Sequence, residues 1–449
     1  MTTTKPFRTH PFTRACAMAS LSLAGAMATP VLAQDTQDEV DELREQVQAL
    51  QQRLDSAVAQ APEPDRDNPY LVRDGDGIKI GGTTISFDGF IKADYVAGSG
   101  GDALVNSYSV GLPRSFYGLS QGESDWKTGF TARESRIAIG TETEDVAGHT
   151  LKTYLEMDFN QGDDAPGNES VSNSYAPRLR QAYGEWNGWT FGQTYTTFTD
   201  LAALPEILNQ GYMAGFIYAT QAQLRYTMAA PGGAFSIALE NPEDGLRDIS
   251  SYDDQSYPDL TSRYRLRTAY GLYSISGVLR NMEHDNPNPN GEDDEELAGA
   301  VSLSARIPTV GRDDLRLQYS YGHLGRYMGL LTYPDTDLSE QVVNNEVDPL
   351  TSYAATAAYR HFWSPSWRSS LVLSRSGVEE DLATERTIGA GGSVLADFDQ
   401  ASSIHANLVW NAHENLQLGV EYAYWDFEEI TSDSNAQYEQ VMASAKLLF

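Results

Sequence analysis

The sequence predicts an all-β fold: a transmembrane antiparallel β-barrel of about sixteen strands, preceded by a short N-terminal coiled-coil helix. Three observations carry that reading. From residue 84 onward the side chains alternate polar and apolar, the connections alternate short and long, and the chain begins with an export signal. A length of 449 residues exceeds one ordinary globular domain. The mean hydropathy of −0.42 suits a barrel as well as a soluble protein, because only every second strand residue faces lipid.

The elements follow in chain order. Lys5, Arg8 and Arg14 precede a short Ala-, Leu- and Met-rich run, and Val31-Leu32-Ala33 offers small residues where a signal peptidase cuts. Residues 1–33 are therefore expected to be a secretory signal peptide, too short to span a bilayer as a helix. The only cysteine, Cys16, lies inside it, which leaves the exported chain without thiol chemistry. Val40, Leu43, Val47, Leu50, Leu54, Ala57 and Ala61 then recur at spacings of three and four among charged and amide residues. This is a coiled-coil seam over 34–61, placed in the periplasm; a disordered charged spacer is the other reading. Pro62, Pro64 and Pro69 end it, and 62–83 reads as a linker to a barrel over 84–449.

Within the barrel, Ile85, Phe87, Ile91, Ala93 and Tyr95 share one face of the first segment, while Ser86, Asp88, Lys92 and Asp94 share the other, with Phe90 among them. Segments of this kind fall near 84–97, 130–142, 148–160, 177–187, 188–196, 221–230, 233–241, 258–269, 270–282, 295–306, 314–325, 350–362, 366–377, 401–411, 415–427 and 436–449. Short links such as Trp186-Asn-Gly-Trp189 and Ala230-Pro-Gly-Gly233 alternate with long ones, 98–129 and 197–220 among them. Short turns on one rim and long loops on the other are how outer-membrane barrels are built. An even strand number puts both barrel ends on the short-turn, periplasmic side. The final amphipathic strand ends in Phe449.

The formal charge is −32, and about −35 without the signal peptide. Such acidity argues against nucleic acid as a partner. Acidic runs such as Asp253-Asp254, Glu292-Asp-Asp-Glu-Glu296 and Glu379-Glu-Asp381 crowd the long loops; they read as solvated charge, or as sites where divalent cations bridge to lipopolysaccharide. Basic residues behave differently. Arg263, Arg265 and Arg267 share one strand face opposite Tyr264 and Leu266. Facing lipid near the midplane, each would cost about 2–4 kcal/mol, so they are expected to line the lumen. The same logic turns Arg178, Arg180, Arg225, Arg280, Arg316 and Arg360 inward. Either they conduct anions selectively, or they pair with inward carboxylates such as Glu156 and Asp158 to stiffen the wall.

The third long loop, Phe198-Thr-Asp-Leu-Ala-Ala-Leu-Pro-Glu-Ile-Leu-Asn209, carries few charges. Its apolar residues predict a short helix folded into the lumen, with Asp200, Glu206 and Asn209 as constriction residues facing the arginines; a surface flap is the alternative. No metal site or cofactor is expected: the seven histidines are scattered, without His-Glu-x-x-His spacing. No serine–histidine pair stands out as nucleophile and base, so an enzyme is not expected.

The stretch Gln181-Ala-Tyr-Gly-Glu-Trp-Asn-Gly-Trp-Thr-Phe-Gly-Gln-Thr-Tyr-Thr-Thr-Phe-Thr-Asp200 resembles the strand–turn–strand before the constriction loop of porins. Together with Phe87-Asp-Gly-Phe-Ile-Lys-Ala-Asp94 and Arg133-Glu-Ser-Arg-Ile-Ala-Ile-Gly140, it is similar to the DcaP-like family of Gram-negative outer-membrane transporters. The order of signal peptide, coiled coil and barrel agrees. That resemblance implies a homotrimeric sixteen-stranded porin passing small organic anions, dicarboxylates among them, by diffusion. A general non-selective porin is the first alternative. An adhesin or envelope anchor using the acidic loops and the coiled coil is the second.

Overall fold

The computed structural model describes residues 77–80, 82–99, 126–160, 175–209, 212–242, 256–284, 294–328, 347–379, 398–429 and 435–449. The expected signal peptide at 1–33, the coiled-coil helix at 34–61, most of the linker and the acidic runs Asp253-Asp254, Glu292–Asp293 and Glu380–Asp381 lie outside these residues.

Sixteen antiparallel strands form one sheet that closes on itself. They are β1 (Thr83–Gly98), β2 (Lys127–Thr131 continued by Arg136–Val146), β3 (His149–Asp158), β4 (Arg178–Trp186) and β5 (Trp189–Tyr195). Then come β6 (Thr220–Ala230), β7 (Gly233–Glu240), β8 (Asp259–Thr268), β9 (Gly271–His284), β10 (Asp294–Pro308) and β11 (Asp314–Gly322). The last five are β12 (Ser352–Phe362), β13 (Trp367–Val378), β14 (Phe398–His413), β15 (Leu416–Glu429) and β16 (Asn435–Leu448). Each strand pairs with its neighbours in sequence, and β16 closes onto β1 from Gln440↔Gly98 to Leu448↔Phe90. Fifteen of the sixteen expected segments each hold one continuous strand; the other, 130–142, is interrupted. A three-residue strand, Ile78–Ile80, pairs back on β1 within the stretch expected to be linker.

The wall is apolar outside and polar inside. Phe87, Ile91, Leu155, Leu224, Leu279, Leu373 and Val420 are exposed, whereas their strand neighbours Lys92, Glu156, Gln223, Ser374 and Glu421 are buried. A one-residue slip would turn every inner charge to lipid, so the alternation itself sets the register. Aromatic rings mark both rims on the outer face. Near the short turns Trp367 stacks on Trp410 with centroids 5.3 Å apart, and Trp189 packs on Tyr226 at 4.8 Å. Tyr319, Tyr321 and Tyr422 stand toward the long loops.

The turns follow from local chemistry. Asn187 and Gly188 both have positive φ, +48° and +82°, as a two-residue type I′ hairpin requires. In the turn after β10, Asp313 accepts hydrogen bonds from the Phe362 N–H at 2.8 Å and the Tyr359 hydroxyl at 2.9 Å, and contacts His361 Nδ1 at 2.7 Å. The Phe362 N–H, then His361, hold its carboxyl below the ordinary range.

One expectation needs correction. The segment 130–142 is not one continuous strand: Ala132–Ser135 leaves the ladder between the two halves of β2. The Ser135 hydroxyl accepts the Lys92 N–H at 3.0 Å, restoring a partner to the backbone donor that the break strands. The excursion leaves Arg133 and Glu134 buried.

Candidate functional site

The lumen is built from the inner strand faces and from the connection 196–219 between β5 and β6. The nine arginines singled out in the sequence all stand on strands of this wall. Arg180, Arg225, Arg263, Arg280 and Arg316 are buried, Arg178, Arg265 and Arg360 half-buried, and Arg267 exposed at the short-turn rim.

Most of them share carboxylates. Asp158 takes both Nε and Nη2 of Arg178, at 2.9 and 2.8 Å, and Nη1 of Arg180 at 2.8 Å. Glu156 takes Arg180 at 2.8 Å and Arg136 at 3.5 Å. Asp314 meets Arg316 at 2.6 Å, Arg360 at 2.5 Å and Arg306 at 3.6 Å. Asp259 meets Arg326 at 2.6 Å and Arg280 at 3.8 Å. The pairing that the sequence left open is therefore present, yet two or three guanidinium groups stand around each carboxylate. Asp314 and its three arginines carry a local charge of +2; Glu156, Asp158 and theirs carry +1. Arg225 differs. It is buried on the inner face of β6, across from Thr190 and Ala238. Among the described residues it has no carboxylate within ion-pair distance.

The connection 196–219 folds inward. Phe198, Leu201, Leu204, Ile207, Leu208, Met213, Phe216 and Ile217 are all buried. Leu201–Ala203 is a single 3₁₀ turn, capped by Asp200 through the Ala202 N–H. Polar groups fasten the segment to the wall. Arg263 donates to the Thr199 carbonyl at 2.6 Å; Arg265 and Ser304 donate to the two oxygens of Asp200 at 2.7 and 2.6 Å. Arg316 donates to the Leu204 carbonyl. Glu206 is held by both Nε and Nη2 of Arg368, at 2.7 and 2.5 Å, with Arg360 at 3.6 Å. The Leu208 N–H reaches Glu421 at 2.7 Å, and its carbonyl accepts from Lys92 at 2.8 Å. The Ala214 and Gly215 N–H groups donate to Ser403 and Ser374 at 3.0 and 2.7 Å. A Cβ on Gly215 would stand 2.7 Å from the Ala355 carbonyl oxygen and 2.8 Å from that of Arg375, so only glycine lets the segment lie this close to the wall.

These anchors fall on β8, β10–β15 and β1. The inner face of β2–β7, with Arg136, Arg178, Arg180 and Arg225, forms the opposite side. Asp200 and Glu206 thus meet arginines. Asn209 does not: its Oδ1 is sealed without a hydrogen-bond partner. Sequence reasoning put Lys92 on the polar face of the first segment without giving it a role, and passed over Arg136, Arg306, Arg326 and Arg368. Strand parity would have found Arg136 beside outward Ile137 and Arg368 beside outward Trp367; Arg326 lies off the strands and gave no such signal. One Gly-x-Ser-x-Gly spacing, Gly118-Leu-Ser-Gln-Gly122, is present after β1, outside the described residues.

Residues 77–446 match the family model described as "Porin subfamily". Among solved structures, the fold is similar to the outer-membrane channel DcaP of Acinetobacter baumannii, with TM-score 0.66 and 18% identity, covering 83% of this chain and 99% of that one. An anion-selective porin from Comamonas acidovorans matches with TM-score 0.51 and 11% identity over 82% of this chain and 100% of that one. Salmonella typhi OmpF in complex with daunomycin matches with TM-score 0.52 and 15% identity over 82% and 98%. No curated protein matches the sequence.

Proposed function

Since the chain belongs to the porin subfamily, and is thereby a channel of the outer membrane, we propose that it passes small hydrophilic anions by passive diffusion, organic carboxylates and dicarboxylates among them. The observation that carries the reading is the excess of guanidinium over carboxylate in the lumen, with Arg225 lacking an acidic partner among the described residues. Charges about 4 Å apart interact by about 1 kcal/mol in bulk water and by about 4 kcal/mol at the effective dielectric of a protein surface. Low-dielectric walls focus this field where the segment 196–219 narrows the path. A carboxylate passing Arg225 offers the planar, two-oxygen face that a guanidinium fork binds.

The test is the reversal potential of the purified protein in a planar bilayer under a salt gradient. The expected result is anion selectivity that falls in Arg225→Gln and falls further when Arg263, Arg265 and Arg267 are changed to Ser. The single variant is the cleaner probe, because Arg263 and Arg265 also anchor the inward segment. Cation selectivity in the wild type, or no shift in Arg225→Gln, would leave a general porin governed by its acidic loops.

The working form in this reading is a homotrimer. In its support, the hydroxyl pairs Thr83–Thr143 and Thr141–Thr153, at 2.8 and 2.6 Å, face outward on β1–β3, where a lipid-covered wall would carry aliphatic groups. Light scattering in detergent is expected to give three times the chain mass, falling to one in Thr141→Arg. A wild-type monomer would refute the assembly.

A further inference from the structure

The inward segment has a second support besides the wall. After β11 the chain makes a single 3₁₀ turn, Gly325–Tyr327. Leu324, Tyr327 and Met328 are fully buried and share one apolar cluster with Phe198, Ala214 and Ile217 of the inward segment. Tyr327 reaches both limbs of that segment. On the first limb, its ring lies edge-on to Phe198, with centroids 5.5 Å apart. On the second, its carbonyl accepts the Tyr218 N–H at 2.9 Å, and the adjoining Met328 forms an isolated parallel bridge with Tyr218. The Tyr327 hydroxyl donates to Asp259 at 2.7 Å and accepts from the Gln221 amide at 3.2 Å. Gln221 also donates to Glu240, whose other oxygen takes the Thr197 N–H at 2.7 Å. Arg326 donates to Asp259 at 2.6 Å and to the Asn241 carbonyl at 2.7 Å, which ties the turn to the long-loop ends of β7 and β8.

What this turn holds in place is Tyr218. Residues 212–217 are buried, and Tyr218 is where the second limb becomes half-buried. Its ring stacks on Phe216 at 5.0 Å, with the planes 14° apart, and meets Tyr195 edge-on at 5.6 Å. Its hydroxyl accepts from Arg180 Nη2 at 3.4 Å. Tyr218 therefore reaches from the inward segment to the arginine-bearing face of β2–β7. The bonds that fasten this limb to the wall stop at Ala214 and Gly215; the backbone donor of Tyr218, which needs a partner of its own, goes to Tyr327. We infer that Tyr218 narrows the passage beside Arg180 and that Tyr327 is its positioning residue. The turn after β11 thereby sets the aperture together with the inward segment. This rests on the chain being a porin channel and is independent of the ion selectivity proposed above.

Single-channel conductance of the purified protein in a planar bilayer, read beside the midpoint of urea unfolding, tests it. Tyr218→Ala is expected to raise conductance about twofold, since a phenol ring leaves the narrow level of the pore. Tyr327→Ala is expected to raise it comparably although Tyr327 is itself inaccessible, because the turn that props Tyr218 loses its hold on Phe198, Asp259 and Gln221. The double variant should conduct like Tyr218→Ala alone, as two residues acting through one ring are not additive. Should Tyr327→Ala fail to assemble, Tyr327→Leu carries the same expectation, since it keeps an apolar body in the cluster and loses the ring edge and the hydroxyl. A lowered unfolding midpoint with wild-type conductance in the Tyr327 variant would leave Tyr327 a purely structural residue and overturn the assignment. So would gains that multiply in the double variant, which place its action away from Tyr218, or unchanged conductance in Tyr218→Ala, which puts the aperture elsewhere.

Discussion

Replacing residues 197–218 with a short turn is expected to leave the barrel folded and raise single-channel conductance several-fold. The ends of the segment make this feasible: the Thr196 N–H already donates to the Ala219 carbonyl at 3.0 Å, continuing the β5–β6 ladder past Tyr195↔Thr220. A two- to four-residue hairpin loop fits there. What is removed is a segment whose apolar side chains and wall anchors occupy the lumen, so its place fills with water. Sixteen-stranded barrels without such an insert enclose an aqueous channel. The wall loses partners but gains no orphans, because Ser374, Ser403, Asn407 and Glu421 would meet water where they now meet the segment's backbone. Single-channel recording in a planar bilayer gives the answer. Unchanged conductance would mean that the aperture is set elsewhere, at the long loops or the rim.

The second large effect is on stability. Lys92→Met is expected to destabilise the protein by about 3–5 kcal/mol, the usual result of removing one partner from a buried ion pair. Lys92 is buried, with its Nζ 3.2 Å from Asp94, in contact with Glu134, and 2.8 Å from the Leu208 carbonyl. Both carboxylates are nearly inaccessible, at 1% and 0% exposure. Three carboxylate oxygens of this pair already lack hydrogen-bond partners, so removing the ammonium leaves two charges with little compensation. Neutralising all three groups together, as Lys92→Met with Asp94→Asn and Glu134→Gln, should recover most of the loss, because the desolvation penalty disappears with the charge. The midpoint of urea unfolding followed by tryptophan fluorescence in detergent measures both. A single variant as stable as wild type would show that water or Arg136 screens the carboxylates.

Much of this architecture was legible in the sequence, for a physical reason. A strand with water on one side and lipid on the other must alternate, and each of the sixteen segments does. The inward segment was legible by its lack of charge: Leu201, Leu204, Ile207 and Leu208 have no reason to face solvent. The break in β2 was not, because Ala132-Arg-Glu-Ser135 contains neither glycine nor proline; what holds it is the Ser135 hydroxyl on Lys92, more than forty residues away in sequence. The pairing of charges was hidden for a related reason. Which carboxylate meets which arginine depends on stagger between strands and on a segment crossing from one wall to the other. Arg368 meets Glu206 across 162 positions of chain. Parity tells which way a side chain points; it does not tell what waits there.

The anchoring of Leu208 also constrains the order in which the molecule can be assembled. Nearly every strand pairing in this wall joins sequence neighbours, so hairpins can zip one after another at small entropic cost. Only the seam between the first and last strands is remote. Leu208 is held by Lys92 from β1 on one side and by Glu421 from β15 on the other, residues that come within its reach only once β16 has joined them. The tip of the inward segment is a clasp laid over that seam. It fastens after the cylinder has closed, and until then the chain is a barrel-to-be with its throat open.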